Sequence, residues 1–313
     1  MSLPFLKALK ALYPDATIYL IIKPEYEELL KRLPWEFKLL TFSKGKYGRG
    51  LGGVYKFVKN SDDLSNIDIY FCLPPSFSSA FMGRVIGARE RIGYSGEMRG
   101  FLLSKKAARP QGVHRAQEYL NNLSIHSSKE YALKDFMVKL ETKEPNKLQN
   151  YVVLNVNSEA SSRRLPVEKW SEFIRAFEKQ TFVFIGTEKE KIRAQEVIRL
   201  CNDTNNELVD LSGQTSIAQL VDLLGGAQAV ISNDSGPAHL AAITGVPVLS
   251  FFGAGDPVNT APIGRLVNIY QAKDMTCSPC LKNTCPINTL ECLHQLEMQD
   301  PLNALKEILN SSN

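Results

Sequence analysis

Long apolar runs are missing from this 313-residue sequence. None approaches the roughly 18 residues that span a bilayer, and Met1 is followed by SLPFLKALKALYPDA, with no charged segment ahead of an apolar core. No transmembrane segment and no secretion leader is expected, which places the chain in the cytoplasm. Charge of one sign is scarce as well: 37 Lys and Arg against 33 Asp and Glu leave a net charge of +4, too little to argue for nucleic acid as a partner. Also absent are repeats at a solenoid period, low-complexity tracts, and any D-x-D pair of the kind that clamps a metal-bound diphosphate. What basic excess exists lies in the first half. Residues 41–60 carry Lys44, Lys46, Arg49, Lys56 and Lys59 with no acid, and residues 81–115 carry eight basic residues against Glu90 and Glu97. These are either solvated loops or a surface for an anionic, phosphorylated partner.

The chain is longer than one core usually grows, so two domains are expected. In the second half, apolar strand-like runs (YVVLNVN from 151, TFVFIG from 181, ELVDLSG from 207, AVIS from 229, VPVLSFFG from 246) alternate with helical periods such as VEKWSEFIRAFEKQ over 167–180. That alternation predicts a doubly wound, mostly parallel α/β sheet with ligands beyond the carboxyl ends of its strands. The first half reads similarly but less regularly. It has a helix over 2–12, strands at TIYLII, FKLLTF and IDIYFCLP, a helix over 78–87, and a basic glycine-rich stretch in between. The polar segment ETKEPNKLQN, 141–150, is the expected linker, dividing the chain into 1–145 and 150–313.

One stretch carries chemistry. In SNDSGPAHLAAITGVPVLSFFGAGDP, 232–257, Asp234, Ser235, Gly236 and His239 fall where a buried strand meets a helix. A helix N-terminus offers unpaired N–H groups and partial positive charge, which suits a phosphate. Gly236 lets the backbone approach closely, Ser235 can donate to an oxygen, and Asp234 suits sugar hydroxyls. The plainer alternative is that Asp234 or Ser235 caps the helix and His239 is a core imidazole.

The same stretch, with FGAGDPVNTAPIG after it, closely resembles the signature of glycosyltransferase family 9, the lipopolysaccharide heptosyltransferases. SSRRLPVEKW, FIGTEKE, DLSGQTSIAQLVDLL and LPPSFSSAFMGRVIGARERIGYSGEMRGFLLS resemble other family segments, in order along the chain. The resemblance implies a GT-B fold, with two Rossmann-like domains facing across a cleft, acceptor on the first and nucleotide donor on the second. It implies a donor site of Arg163, Arg164, Gly186, Glu190, Asp234, Ser235, Gly236, His239 and Thr260. It further implies inverting, metal-independent transfer of heptose from ADP-heptose to the lipopolysaccharide inner core, without a cofactor, at the inner face of the inner membrane. Arg163 stands where the family usually has Lys, and Leu165 and Pro75 depart from family residues at packing or turn positions. Lys44, Lys46, Arg49 and Arg99 are the candidate contacts to a phosphorylated lipid A core.

Members of that family begin with a strand and a Gly-Asp pair, whereas this sequence opens inside that pattern at MSLPFLKAL. The first, central strand of the acceptor domain and the general-base Asp are therefore expected upstream of Met1, and no residue of this chain is assigned as the base. A nucleotide-sugar-binding but inactive protein is the alternative reading. Cys277, Cys280, Cys285 and Cys292, spaced C-x2-C-x4-C-x6-C, leave open a four-thiolate metal site, reduced thiols in a loop, or redox pairing. Cys72 and Cys201 read as core residues.

Overall fold

A computed structural model describes residues 1–143 and 148–311. The chain forms two compact units, Met1–Val138 and Lys139–Asn313. This division falls ahead of the expected linker because the first residues past it are tied to the second unit. The Leu140 N–H donates to the Ile243 carbonyl at 2.7 Å, and the Lys143 N–H donates to Asp222 Oδ1 at 2.9 Å. Residues 144–147 of the linker stretch lie outside the described residues.

In the first unit, β1 (Tyr19–Ile22) pairs in parallel with β2 (Lys38–Thr41). A second parallel sheet runs β3 (Ile69–Cys72), β4 (Glu90–Tyr94), β5 (Lys105–Ala107). The five strands thus form two hydrogen-bonded sheets rather than one. Among the described residues no strand pairs with β3 on the side away from β4, or with β1 on the side away from β2. The helix Leu3–Leu12, with Phe5, Leu6, Ala8 and Leu9 buried, packs on Arg115–Ser127.

The basic glycine-rich stretch, to which the sequence pattern assigns no element, is helical over Lys44–Tyr47 and Gly50–Lys59. Packing overrides the low helix propensity of glycine here. Val54, Phe57 and Val58 form a buried stripe, and the Phe57 ring stands edge-on to Phe42 and Tyr47 at 5.2 Å from each. Gly53 permits the close turn, since a Cβ there would stand 2.4 Å from the Gly48 carbonyl oxygen.

The second unit holds one continuous parallel sheet. Its strands are β6 (Tyr151–Asn155), β7 (Thr181–Phe184), β8 (Glu207–Asp210), β9 (Ala229–Asn233), β10 (Val248–Phe252) and β11 (Val267–Gln271), in the order β11-β10-β9-β6-β7-β8. The chain lays down β6 to β8 in one direction, returns, and lays down β9 to β11 in the other. Where the order reverses, between β6 and β9, the connections leave toward opposite faces and open a crevice at the carboxyl ends of the strands. Strands β6, β9 and β10 are buried throughout, as expected of a sheet covered on both faces.

One face packs Trp170, Phe173, Phe182 and Phe251 into a core that the carboxyl-terminal helix Gln299–Ser311 closes with Leu302 and Leu305. Trp170 meets Phe251 edge-on at 5.5 Å. The other face packs Tyr151, Val153, Val230 and Val248 against Ala238 and Ala241 of the helix Gly236–Thr244. Among the described residues no helix is long and apolar enough to cross a membrane.

Candidate functional site

The site is built on the reversal between β6 and β9. These strands are apolar until their last turns, where Asn155, Ser232 and Ser250 stand in register across β6, β9 and β10. Asn155 Nδ2 donates to Ser232 Oγ at 2.9 Å and to Ser235 Oγ at 2.6 Å. Next to them, the Leu165 N–H donates to Asn233 Oδ1 at 3.0 Å, and Ser158 Oγ donates to the Asp234 carbonyl at 3.1 Å. The loops leaving β6 and β9 are thereby fastened to each other by side chains that the strand periodicity alone gives no reason to single out.

Asp234 is the chemical centre of this arrangement. It is 4% exposed, and Arg163 Nη1 stands 3.1 Å from its Oδ2. The approach is that of an ion pair but not of a hydrogen bond: both the buried Asp234 Oδ2 and the buried Arg163 Nε lack a hydrogen-bond partner among the described residues. Gly255 comes up against the same oxygen, since a Cβ there would stand 2.0 Å from it. Burial pushes the Asp234 carboxyl above the usual carboxylate range, and the Arg163 charge pulls it partly back. A buried carboxylate and a guanidinium with unused hydrogen-bonding capacity, side by side at the mouth of a crevice, are costly unless a ligand completes them.

The helix Gly236–Thr244 starts beside them. Ser235, its N-cap, makes no side-chain capping bond and instead donates to the Asn233 carbonyl at 3.2 Å. The capping alternative for Ser235 is therefore not what the structure has. Gly236 is exposed, with nothing within 4 Å of a Cβ built there, so the first turn opens onto free space and its positive end is available to an anion. His239 lies three residues on, half-buried.

The remaining expected residues fall on neighbouring loops, all beyond carboxyl ends of strands of this one sheet. Gly186 and Glu190 follow β7. Glu190 Oε2 accepts from the Thr187 N–H and Oγ1, both at 2.8 Å, in a capping box, and Gly186 makes room for Asn157. Thr260 follows β10 and donates to the Asp256 carbonyl at 3.0 Å. Arg164 differs from Arg163: its Nε and Nη2 donate to the Ser158 and Glu159 carbonyls at 2.6 and 3.2 Å, so it braces the turn that carries Arg163. Arg193, not singled out from the sequence, braces the same region by donating to the Val156 and Leu165 carbonyls at 3.1 and 2.6 Å.

In the first unit, Lys44, Lys46 and Arg49 are exposed after the carboxyl end of β2, with the Lys46 ammonium 5.1 Å from the centre of the Tyr47 ring. Arg99 does not join them at the surface. It is 3% exposed, donates through Nη1 to the Pro74 carbonyl at 3.1 Å, and has a buried Nε without a partner among the described residues.

A relative from Campylobacter jejuni, lipooligosaccharide heptosyltransferase 2, is 24% identical over an alignment that covers 100% of this chain and 95% of its own. Two solved structures have the same fold. Escherichia coli ADP-heptose lps heptosyltransferase II matches with TM-score 0.77 at 20% identity, over 99% of this chain and 95% of that one. A family 9 glycosyltransferase from Veillonella parvula matches with TM-score 0.85 at 18% identity, over 99% and 93%. The two-unit α/β architecture is thus the GT-B fold that the sequence resemblance implied. The family model for glycosyltransferase family 9 (heptosyltransferase) matches residues 63–291, and the chain belongs to that family of glycosyltransferases.

Proposed function

We propose that the chain transfers heptose from ADP-heptose to the inner core of lipopolysaccharide by a metal-independent inverting displacement. The donor lies in the crevice at β6 and β9 of the second unit. Its diphosphate sits at the N-terminus of Gly236–Thr244 and against Arg163, with Ser235 and His239 beside it. Its ribose reaches toward Gly186 and Glu190, and Asp234 and Thr260 face the transferred sugar. As the acceptor hydroxyl attacks the anomeric carbon, the glycosidic oxygen leaves with ADP. The charge that develops there is met by the Arg163 guanidinium and the helix end, work that a divalent cation does in enzymes with a D-x-D clamp. Arg164 acts on this site by holding Arg163.

The acceptor lies on the first unit, where Lys44, Lys46 and Arg49 meet the phosphates of a lipid A core at the cytoplasmic face of the inner membrane. Arg99 contributes from its buried position beside the Pro74 carbonyl. The observation that carries the reading is the pair Arg163 and Asp234 beside an uncapped helix N-terminus, with hydrogen-bonding capacity left open on both side chains.

A second reading, nucleotide-sugar binding without transfer, is favoured by the break between β1 and β3, since general-base attack needs an ordered acceptor unit and no residue of that unit is assigned as the base. The test is an ADP-release assay with ADP-heptose and a heptose-deficient lipopolysaccharide acceptor, with mass analysis of the product. Acceptor heavier by one heptose supports transfer. ADP and ADP-heptose binding without product supports the second reading, and failure of both to bind at millimolar concentration sinks the two together.

A further inference from the structure

The four clustered cysteines have no role assigned in that reaction. All four are free thiols, and together they line one small cavity of about 40 Å³ whose wall also includes Ser162 and Ala254. Among the described residues no three His, Cys, Asp or Glu side chains are grouped as a metal site would hold them. What the fold builds is a cradle for one sulfur. Cys285 opens a turn wound through left-handed conformations at Asn288 and Leu290, in which the Asn288 N–H donates to the Cys285 carbonyl at 3.3 Å and the backbone amides of Leu290, Ile287 and Thr289 face its sulfur. Successive amides converging on one atom make an anion nest, and such a setting favours the thiolate. They hold the Cys285 thiol below its ordinary range. Cys292 differs: burial, and then the neighbouring Cys277, Cys280 and Cys285, push it up to about 11, so it stays protonated.

The residues between Cys280 and Cys285 also fasten the donor crevice. The Ser162 N–H and Ser161 Oγ both donate to the Asn283 carbonyl at 3.2 Å, and Ser162 Oγ donates to the Lys282 carbonyl. The Leu281 N–H donates to the Ala254 carbonyl at 2.8 Å. The strap 281–283 therefore clamps both the turn that presents Arg163 and the turn whose Gly255 abuts Asp234.

We propose that Cys285 and Cys280 form a thiol oxidation site whose disulfide reshapes this strap and lowers affinity at the donor crevice. The oxidant is a hydroperoxide. The Cys285 thiolate attacks its distal oxygen, the O–O bond breaks, and the departing oxygen takes a proton to leave as alcohol or water, which makes a sulfenic acid. The Cys280 thiol then attacks that sulfur, the S–S bond forms, and hydroxide leaves as water with the thiol proton. Two electrons pass from the sulfurs to the peroxide. Bridging 280 to 285 draws the sulfur out of its cradle and closes a ring around the residues that hold Arg163. The effect on affinity rests on the donor reading above; the oxidation chemistry does not.

The experiment treats the full-length reduced protein with hydrogen peroxide, maps thiols by dimedone labelling and peptide mass analysis, and titrates ADP before oxidation, after it, and after dithiothreitol. Cys285 should react at least about tenfold faster than the exposed Cys277 and end in a Cys280–Cys285 disulfide. ADP affinity should fall about tenfold, the size expected when one hydrogen-bonded support is lost, and dithiothreitol should restore it. In Cys280→Ser the sulfenic acid should persist on Cys285 as a dimedone adduct, while the reduced variant binds ADP as the parent does. Reaction no faster than at Cys277, a disulfide between another pair, or stoichiometric bound metal that blocks oxidation overturns the site. Unchanged ADP affinity after the mapped disulfide has formed overturns the coupling. If the reduced protein binds no ADP yet forms the disulfide, the donor reading fails and the oxidation site stands.

Discussion

The two units are built from the same kinds of element, yet only one has a sheet that runs unbroken through its centre. In the second, β9 is bonded on both sides, to β6 and β10, and every strand end that carries a candidate donor residue belongs to that one sheet. In the first, β1 and β3 are each bonded on one side only among the described residues. The residues of β9 are buried along their length, whereas those of β1 are all half-buried. Continuity is what makes the crevice precise. Asn155, Ser232 and Ser235 reach one another because β6 and β9 share a register, and that register aims Asp234 at Arg163.

Hydrogen exchange probes this contrast with the largest expected effect. Amides of β9, 229–233, should be protected roughly a hundredfold or more beyond those of β1 and β3, about 3 kcal/mol in opening free energy. Equal protection at 19–22 and 69–72 would dissolve the comparison. Next in size is Gly255→Ala, where the added Cβ meets Asp234 Oδ2. It should cost the second unit about 2 kcal/mol, or roughly 6 °C in Tm, while Gly236→Ala, which faces open space, should change Tm by less than about 2 °C. Thermal unfolding of the two variants side by side checks both.

A smaller effect sharpens the division of labour. Replacing Lys44, Lys46 and Arg49 together with Ala should raise KM for a phosphorylated acceptor about tenfold at low salt and less at high salt, as exposed charges are screened. ADP affinity should be unchanged, and a matching loss of ADP binding would mean the units do not divide donor from acceptor.

Smallest is Asp234→Asn. Burial raises the Asp234 carboxyl above its unfolded value, so the folded state holds this proton more tightly than the unfolded state does. The penalty is absent below the unfolded value, grows as pH rises through the interval between the two, and is fully present above the folded value. At neutral pH the Asn variant should therefore be more stable than the parent, with the advantage vanishing at acid pH, while donor binding falls. An Asn variant less stable than the parent at pH 7 would show that the Arg163 attraction outweighs burial.

Much of this was legible in the sequence because the second unit obeys simple rules. Its buried strands are unbroken apolar runs, its helices keep a 3.6-residue period, and DSGPAH marks the turn at β9 with residues an ordinary loop does not concentrate. The glycine-rich helix at 50–59 was not legible, since glycine argues against a helix until one sees that Gly53 lets the chain pass the Gly48 carbonyl. The carboxyl-terminal helix Gln299–Ser311 also went unread, although Leu302 and Leu305 keep an i, i+3 spacing. In the site, Arg163 and Asp234 were visible as residue types. That Arg164 is a brace, that Arg99 is buried, and that Asn155 and Asn233 fasten the loops depend on register and side-chain direction, which a single sequence does not encode locally.

The most direct test of the account is a calorimetric titration of ADP into the parent protein and into the variant carrying Arg163→Ala and Asp234→Ala together. The parent should bind, and the double variant should bind about a hundredfold more weakly, the consequence of losing one charge-assisted phosphate contact and the order imposed by its buried partner. Equal affinity in parent and variant, or no binding to the parent at millimolar ADP, would contradict the assignment of the crevice between β6 and β9 as the donor site.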